Sequence, residues 1–138
     1  MSFREKVAWI ALVGILGASA VYFGTLYAHR GDPGHGYFIG LFLKVATVQT
    51  VITIAATMVT AIMSRPDAGA PRDERDWRIN RNAAGLTYYP LLIGVILAAV
   101  SIHFGNGTFG MLNTLLGVIM AAEALRFALQ IVAYRRGG

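Results

Sequence analysis

"PRDERDWRINRN", residues 71–82, decides how this chain is threaded, because it is a dense knot of charge in a sequence that is otherwise apolar. Seven of its twelve side chains are charged, whereas over all 138 residues only 14% are charged and 56% are hydrophobic. The mean hydropathy is +0.57. A soluble domain of this size has too little interior to hide that much apolar surface, so a bilayer is the solvent the composition calls for. Two apolar stretches lie before the knot, about residues 7–28 and 37–63, and two lie after it, about 84–104 and 109–134. Each reaches the roughly 20 residues that carry a helix across about 30 Å of hydrocarbon. The sequence therefore predicts an all-α polytopic membrane protein, a single domain over residues 1–138 with four transmembrane helices and a charged segment at 65–83.

Arginine and lysine set the orientation. Arg65, Arg72, Arg75, Arg78 and Arg81 sit between helices 2 and 3; Arg4 and Lys6 precede helix 1; Arg135 and Arg136 follow helix 4. The other side holds Arg30 in the first connection and no charge in "GNGTFG", the third. By the positive-inside rule the N-terminus, the middle segment and the C-terminus face the cytoplasm, in the cell's inner membrane. Arg4 and Lys6 before an apolar run, with "ASA" at 18–20, mimic a signal peptide. The run continues through Val21-Tyr22-Phe23-Gly24, so helix 1 is expected to stay in the mature protein.

The net charge of +5 and an isoelectric point near 10 follow from these juxtamembrane basic residues and call for no nucleic acid. There is no cysteine. That excludes disulfide exchange, thiolate metal sites and cysteine nucleophiles, and with them a four-helix thiol oxidase.

Within the knot, the proline, glycine and small residues of "SRPDAGA" read as a turn, and Pro71 sits where a helix can begin. Asp73, Glu74 and Asp76 suit the positive end of the helix dipole, and Glu74 stands in the favourable i,i+4 order before Arg78. The predicted third helix thus extends about four turns into the cytoplasm before entering the bilayer. Trp77, Tyr88 and Tyr89 fit headgroup depth, and Pro90 is expected to bend the helix near that interface. Arg72, Arg75, Trp77, Arg78 and Arg81 are the candidate contact residues. They form either a solvated juxtamembrane face or a docking surface for a partner subunit, a second copy of the chain or lipid headgroups.

"DERDWRINRNAAGLTYY" and the ending "RFALQIVAYRRG" resemble an uncharacterised family of small bacterial four-helix integral membrane proteins with an Asp-Glu-Arg-Asp segment between helices 2 and 3. The resemblance implies fold and membrane location; it carries no activity.

Polar groups inside the spans are the next candidates, since each is costly there unless paired or hydrated. Glu123 and Arg126 are three apart on helix 4 and share a face, with Gln130 and Tyr134 on the same side. They form either an internal ion pair or a proton- or cation-coupled site. Small four-helix drug antiporters use a membrane glutamate in helix 1, where residues 7–28 have none. On helix 2, Thr50, Thr53, Thr57, Thr60 and Ser64 fall within about 80° of one another, with Gln49 at the edge and Lys44 nearly opposite. Such a hydroxyl stripe serves helix packing or a solvated pathway. Gly14 and Ala18, Gly36 and Gly40, Gly94 and Ala98, and Gly117 and Ala121 are small residues four apart that let helices approach closely.

All three histidines are expected at the outer surface. His29, Asp32 and His35 lie in one turn and His103 ends helix 3, a donor set sufficient for zinc or copper. No other cofactor is expected. There is no G-x-S-x-G, no H-E-x-x-H and no phosphate loop, so no enzyme activity is expected. The functional expectation is a structural or accessory membrane protein, acting by helix packing and its charged helix on a partner complex or in a homo-oligomer. The alternatives are a small oligomeric transporter or channel using Glu123 and the helix 2 hydroxyls, and metal binding at the outer surface.

Overall fold

In the computed structural model, which describes residues 2–29, 35–64, 66, 69, 73–105 and 107–136, the described chain is helical apart from the turns and caps at the helix ends and the bend at Gly69. Helix α1 spans Phe3–Ala28, α2 His35–Met63, α3 Glu74–Val100 and α4 Gly107–Arg135, and a short 3-10 turn, Ser101–Phe104, extends α3. All four are long and apolar enough to cross a membrane. At about 1.5 Å per residue they are about 39–44 Å long, so each exceeds a hydrocarbon core of about 30 Å and leaves its ends at headgroup level.

Local chemistry explains the ends. Ser2 caps α1, its hydroxyl accepting from the Glu5 amide at 3.2 Å, the first half of a Ser-x-x-Glu capping box. This cap starts α1 at Phe3, so Arg4, Glu5 and Lys6 lie inside the helix rather than ahead of it. Asp73 is the extended N-cap residue of α3, and Glu74 and Asp76 occupy its first turn, where negative charge suits the dipole. Pro71, the expected helix start, lies outside the described residues. The helix continues through Pro90. Gly105 and Gly107, at φ of 86° and 60°, make the abrupt reversal from the 3-10 turn into α4, a backbone that side-chain-bearing residues rarely adopt.

Packing is uneven. Helix α4 lies extensively against both α3 and α1, and α1 against α2, so the helices run α2, α1, α4, α3 in space. Among the described residues α2 and α3 form no extensive contact. The buried residues are mostly small, Ala8, Ala18, Ala83, Ala98 and Ala122 among them. Three of the four small-residue pairs mark seams. A Cβ on Gly14 would lie 3.2 Å from the Thr53 hydroxyl of α2, one on Gly94 2.5 Å from Val118 of α4, and one on Gly117 3.4 Å from the Phe23 ring of α1. Gly36 and Gly40 have nothing within 4 Å. Large side chains such as Val48, Val51, Ile52, Met58 and Ile62 point outward from α2, the arrangement that hydrocarbon, rather than water, makes favourable.

Candidate functional site

The end of the bundle that carries both chain termini also gathers most of its charge. Arg4 of α1 pairs with Asp76 of α3, Nε to Oδ2 at 2.6 Å. The Tyr134 hydroxyl of α4 donates to the other Asp76 oxygen at 3.1 Å. One turn deeper, Gln130 donates to Asn80 at 2.9 Å. Arg135 reaches across to Glu5 at 3.3 Å and lies 5.5 Å over the Trp9 ring. Lys6 donates to the buried Ser64 hydroxyl at the end of α2. Every helix is therefore tied to another by at least one polar contact at this end.

Helix α3 meets α4 through Ile79, Ala83, Thr87 and Ala98, all buried. Residues on either flank of that stripe line two clefts. The first, about 280 Å³, draws on all four helices: Arg4 and Ala8, Thr57, Asp76, Trp77 and Asn80, then Arg126, Gln130 and Tyr134. Its charges are largely answered within the protein by the contacts above. Arg126 pairs with Glu123 at 3.3 Å and lies 5.5 Å over the Phe127 ring, while its buried Nε has no hydrogen-bond partner.

The second cleft, about 300 Å³, lies on the opposite flank of the seam. Its floor is apolar, made by Ile79, Ala83, Leu86, Leu129, Val132 and Ala133, and Arg75, Arg78, Asn82 and Arg136 complete its lining. No carboxylate is among these residues. The three arginines are exposed. Arg75 donates to the Tyr134 carbonyl at a long 3.4 Å, and Arg78 and Arg136 form no ion pair among the described residues.

The remaining candidates fall as follows. Trp77 is 57% exposed at the rim of the first cleft, Arg81 points outward, and Arg72 lies outside the described residues. The helix 2 stripe runs past α1: Thr53 lies against Gly14, Thr57 lines the first cleft and Ser64 is buried on Lys6. Thr50 and Thr60 turn their hydroxyls back onto the carbonyls of Ala46 and Ala56, which satisfies them without a neighbour. Lys44 is exposed beside an apolar groove of about 420 Å³ between α1 and α2, lined by Val13, Gly17, Ala18 and Val48 among others.

At the opposite end, His29 contacts the Thr25 carbonyl through Nδ1 at 3.1 Å and packs near the Tyr37 ring. His103 is exposed in the 3-10 turn. Asp32 and the side chain of His35 lie outside the described residues. Among the described residues no three His, Asp or Glu side chains gather at metal-binding range.

Sequence reasoning missed Glu5, Asp76, Asn80 and Asn113. Asn113 accepts from the buried Tyr22 hydroxyl at 2.7 Å, tying α1 to α4. Asn80 and Asn113 are uncharged and belong to no motif, so only a known neighbour reveals them. Glu5 did carry a signal, the Ser-x-x-Glu spacing from Ser2.

No protein-family model, curated protein or solved structure matches this chain.

Proposed function

We propose that this chain is an accessory subunit of a bacterial inner-membrane complex, or a self-associating scaffold, with both termini and the charged start of α3 in the cytoplasm. The orientation rests on the bias of arginine and lysine toward the end that carries the termini. The family resemblance of the "DERD" segment and the C-terminal stretch supports the bacterial membrane. The observation that carries the role is the joining of α1, α3 and α4 at one end by Arg4–Asp76, Tyr134–Asp76 and Gln130–Asn80. These contacts hold the first turns of α3 in one orientation, so Trp77, Arg78 and Arg81 are presented from a fixed helix rather than a loose loop. A preordered surface costs less entropy to dock than a disordered one. Neither catalysis nor a cofactor enters this reading.

Mild-detergent purification followed by native mass spectrometry tests it. The expected result is a complex of defined stoichiometry, with another membrane protein or with a second copy, that dissociates in the Trp77→Ala/Arg81→Glu variant while helical content stays unchanged. A chain that runs as a lone monomer, or a complex indifferent to these substitutions, contradicts the reading.

The first cleft favours a second reading, a small transporter. It opens between α2 and α3, which do not close on one another, and brings Thr57, Asn80 and Gln130 beside the Glu123–Arg126 pair. A cysteine at Thr57 that reacts with a membrane-impermeant thiol reagent supports that reading, and complete protection removes it.

A further inference from the structure

The arginine-rimmed cleft between α3 and α4 has an ordered polarity along its length. Arg75, Arg78 and Arg136 stand at the end that carries the chain termini, and Leu86 and Leu129 lie deeper in the membrane-spanning segments. From Arg75 to Leu86 the groove runs about 16 Å at the α-helical rise, from headgroup level into the acyl region. We infer that this cleft binds one anionic glycerophospholipid of the surrounding leaflet, its phosphodiester between Arg75, Arg78 and Arg136 and an acyl chain along Leu86, Leu129, Val132 and Ala133.

Charge complementarity selects the occupant. Three guanidinium groups around one opening repel each other at close range and call for an anion, and phosphate oxygens match the planar donor fork of arginine. Among the described residues no carboxylate lines this cleft, although Arg75 also borders a neighbouring depression with Glu5, Asp73 and Asp76. Asp76 is engaged by Arg4 and Tyr134 on the far side of α3, and Glu5 by Arg135. Asn82 adds an amide donor at the rim. A free phosphate would use the arginines alone, whereas a lipid also covers the apolar floor and leaves no unfilled groove beside the helices. The site adjoins the proposed partner surface at Arg78, whereas Trp77 and Arg81 do not line it.

The test is native mass spectrometry of the full chain after exchange into detergent micelles containing phosphatidylglycerol or phosphatidylcholine, with circular dichroism to verify folding. One phosphatidylglycerol is expected to remain bound, and phosphatidylcholine to be lost. Arg78→Gln/Arg136→Gln is expected to weaken retention about 30-fold, the equivalent of about 1 kcal/mol of surface attraction per arginine at about 1.4 kcal/mol per tenfold. Lys44→Gln/Arg81→Gln removes the same net charge elsewhere and is expected to retain the lipid. Ala133→Trp, which fills the floor with every arginine in place, is expected to abolish retention, and so tests the groove even if the arginine variant misfolds. Equal retention of both lipids, equal loss in both double variants, a bound lipid in Ala133→Trp, or displacement by excess inorganic phosphate would each overturn the assignment.

Discussion

The two clefts flanking the α3–α4 seam lie at the same end of the molecule and share helices, yet they treat charge in opposite ways. In one, Arg4, Asp76, Tyr134, Asn80 and Gln130 satisfy each other at 2.6–3.1 Å. In the other, three arginines surround an apolar floor with no acid among the lining residues. The difference separates two uses of polar residues beside a membrane. Groups that find partners within the protein hold helices in place, and removing one leaves its partner desolvated and unanswered. Groups without internal partners contribute little to folding and are left to meet something outside.

This contrast breaks most visibly at Asp76. Asp76→Ala removes the acceptor of both Arg4 and Tyr134, whose partner geometry is only about a fifth to a quarter exposed at the ion pair (25% and 19%). After discounting for that exposure the expected loss is about 2–3 kcal/mol, read as a lowered unfolding midpoint in detergent. A midpoint unchanged from the wild type would mean that the first cleft is not a structural lock.

The seam between the clefts is the next point of attack. Gly94→Ala puts a methyl group against Val118, whose γ-carbon would be only 2.5 Å away and whose β-branched side chain has little freedom to turn. The expected cost is about 2 kcal/mol. Gly36→Ala, in open space, serves as the control and is expected to be neutral or slightly stabilising, since alanine favours a helix over glycine. Equal effects at the two glycines would show that the α3–α4 approach is looser than described.

Gln130→Leu sharpens the comparison on a smaller scale. It removes one neutral interhelical hydrogen bond, to Asn80, and is expected to cost about 1 kcal/mol. A double-mutant cycle with Asn80→Ala should return a coupling of similar size; a coupling of zero would assign the loss to packing alone.

Much of this architecture was legible in the residues. Apolar length alone marks four helices, and helical spacing places Glu123 with Arg126 and Gln130 with Tyr134 on one side of the last helix. The small-residue pairs mark close approaches at Gly14, Gly94 and Gly117. What periodicity does not carry is which helix faces which. Asp76 is one acid among several in a charged stretch until Arg4, 72 positions earlier in the chain, is found beside it. Likewise Arg75, Arg78 and Arg81 read as one basic run, but the turn of the helix places Arg75 and Arg78 at the rim of the apolar cleft and Arg81 outside it. Helix α1 starts earlier than its apolar run for a related reason. Charge at positions 4–6 suggests a flank, whereas the Ser2 cap and the contacts to Asp76, Arg135 and Ser64 draw those residues into the helix.

The smallest effect on folding is expected where the charges are unanswered, and that makes the arginine cleft the most direct test. In lipid-free detergent, the unfolding midpoint of Arg78→Gln/Arg136→Gln should match the wild type to within about 0.5 kcal/mol, although the same variant is expected to retain phosphatidylglycerol about 30-fold more weakly. A fall in midpoint comparable with that of Asp76→Ala would contradict the division into a structural cleft and a binding cleft.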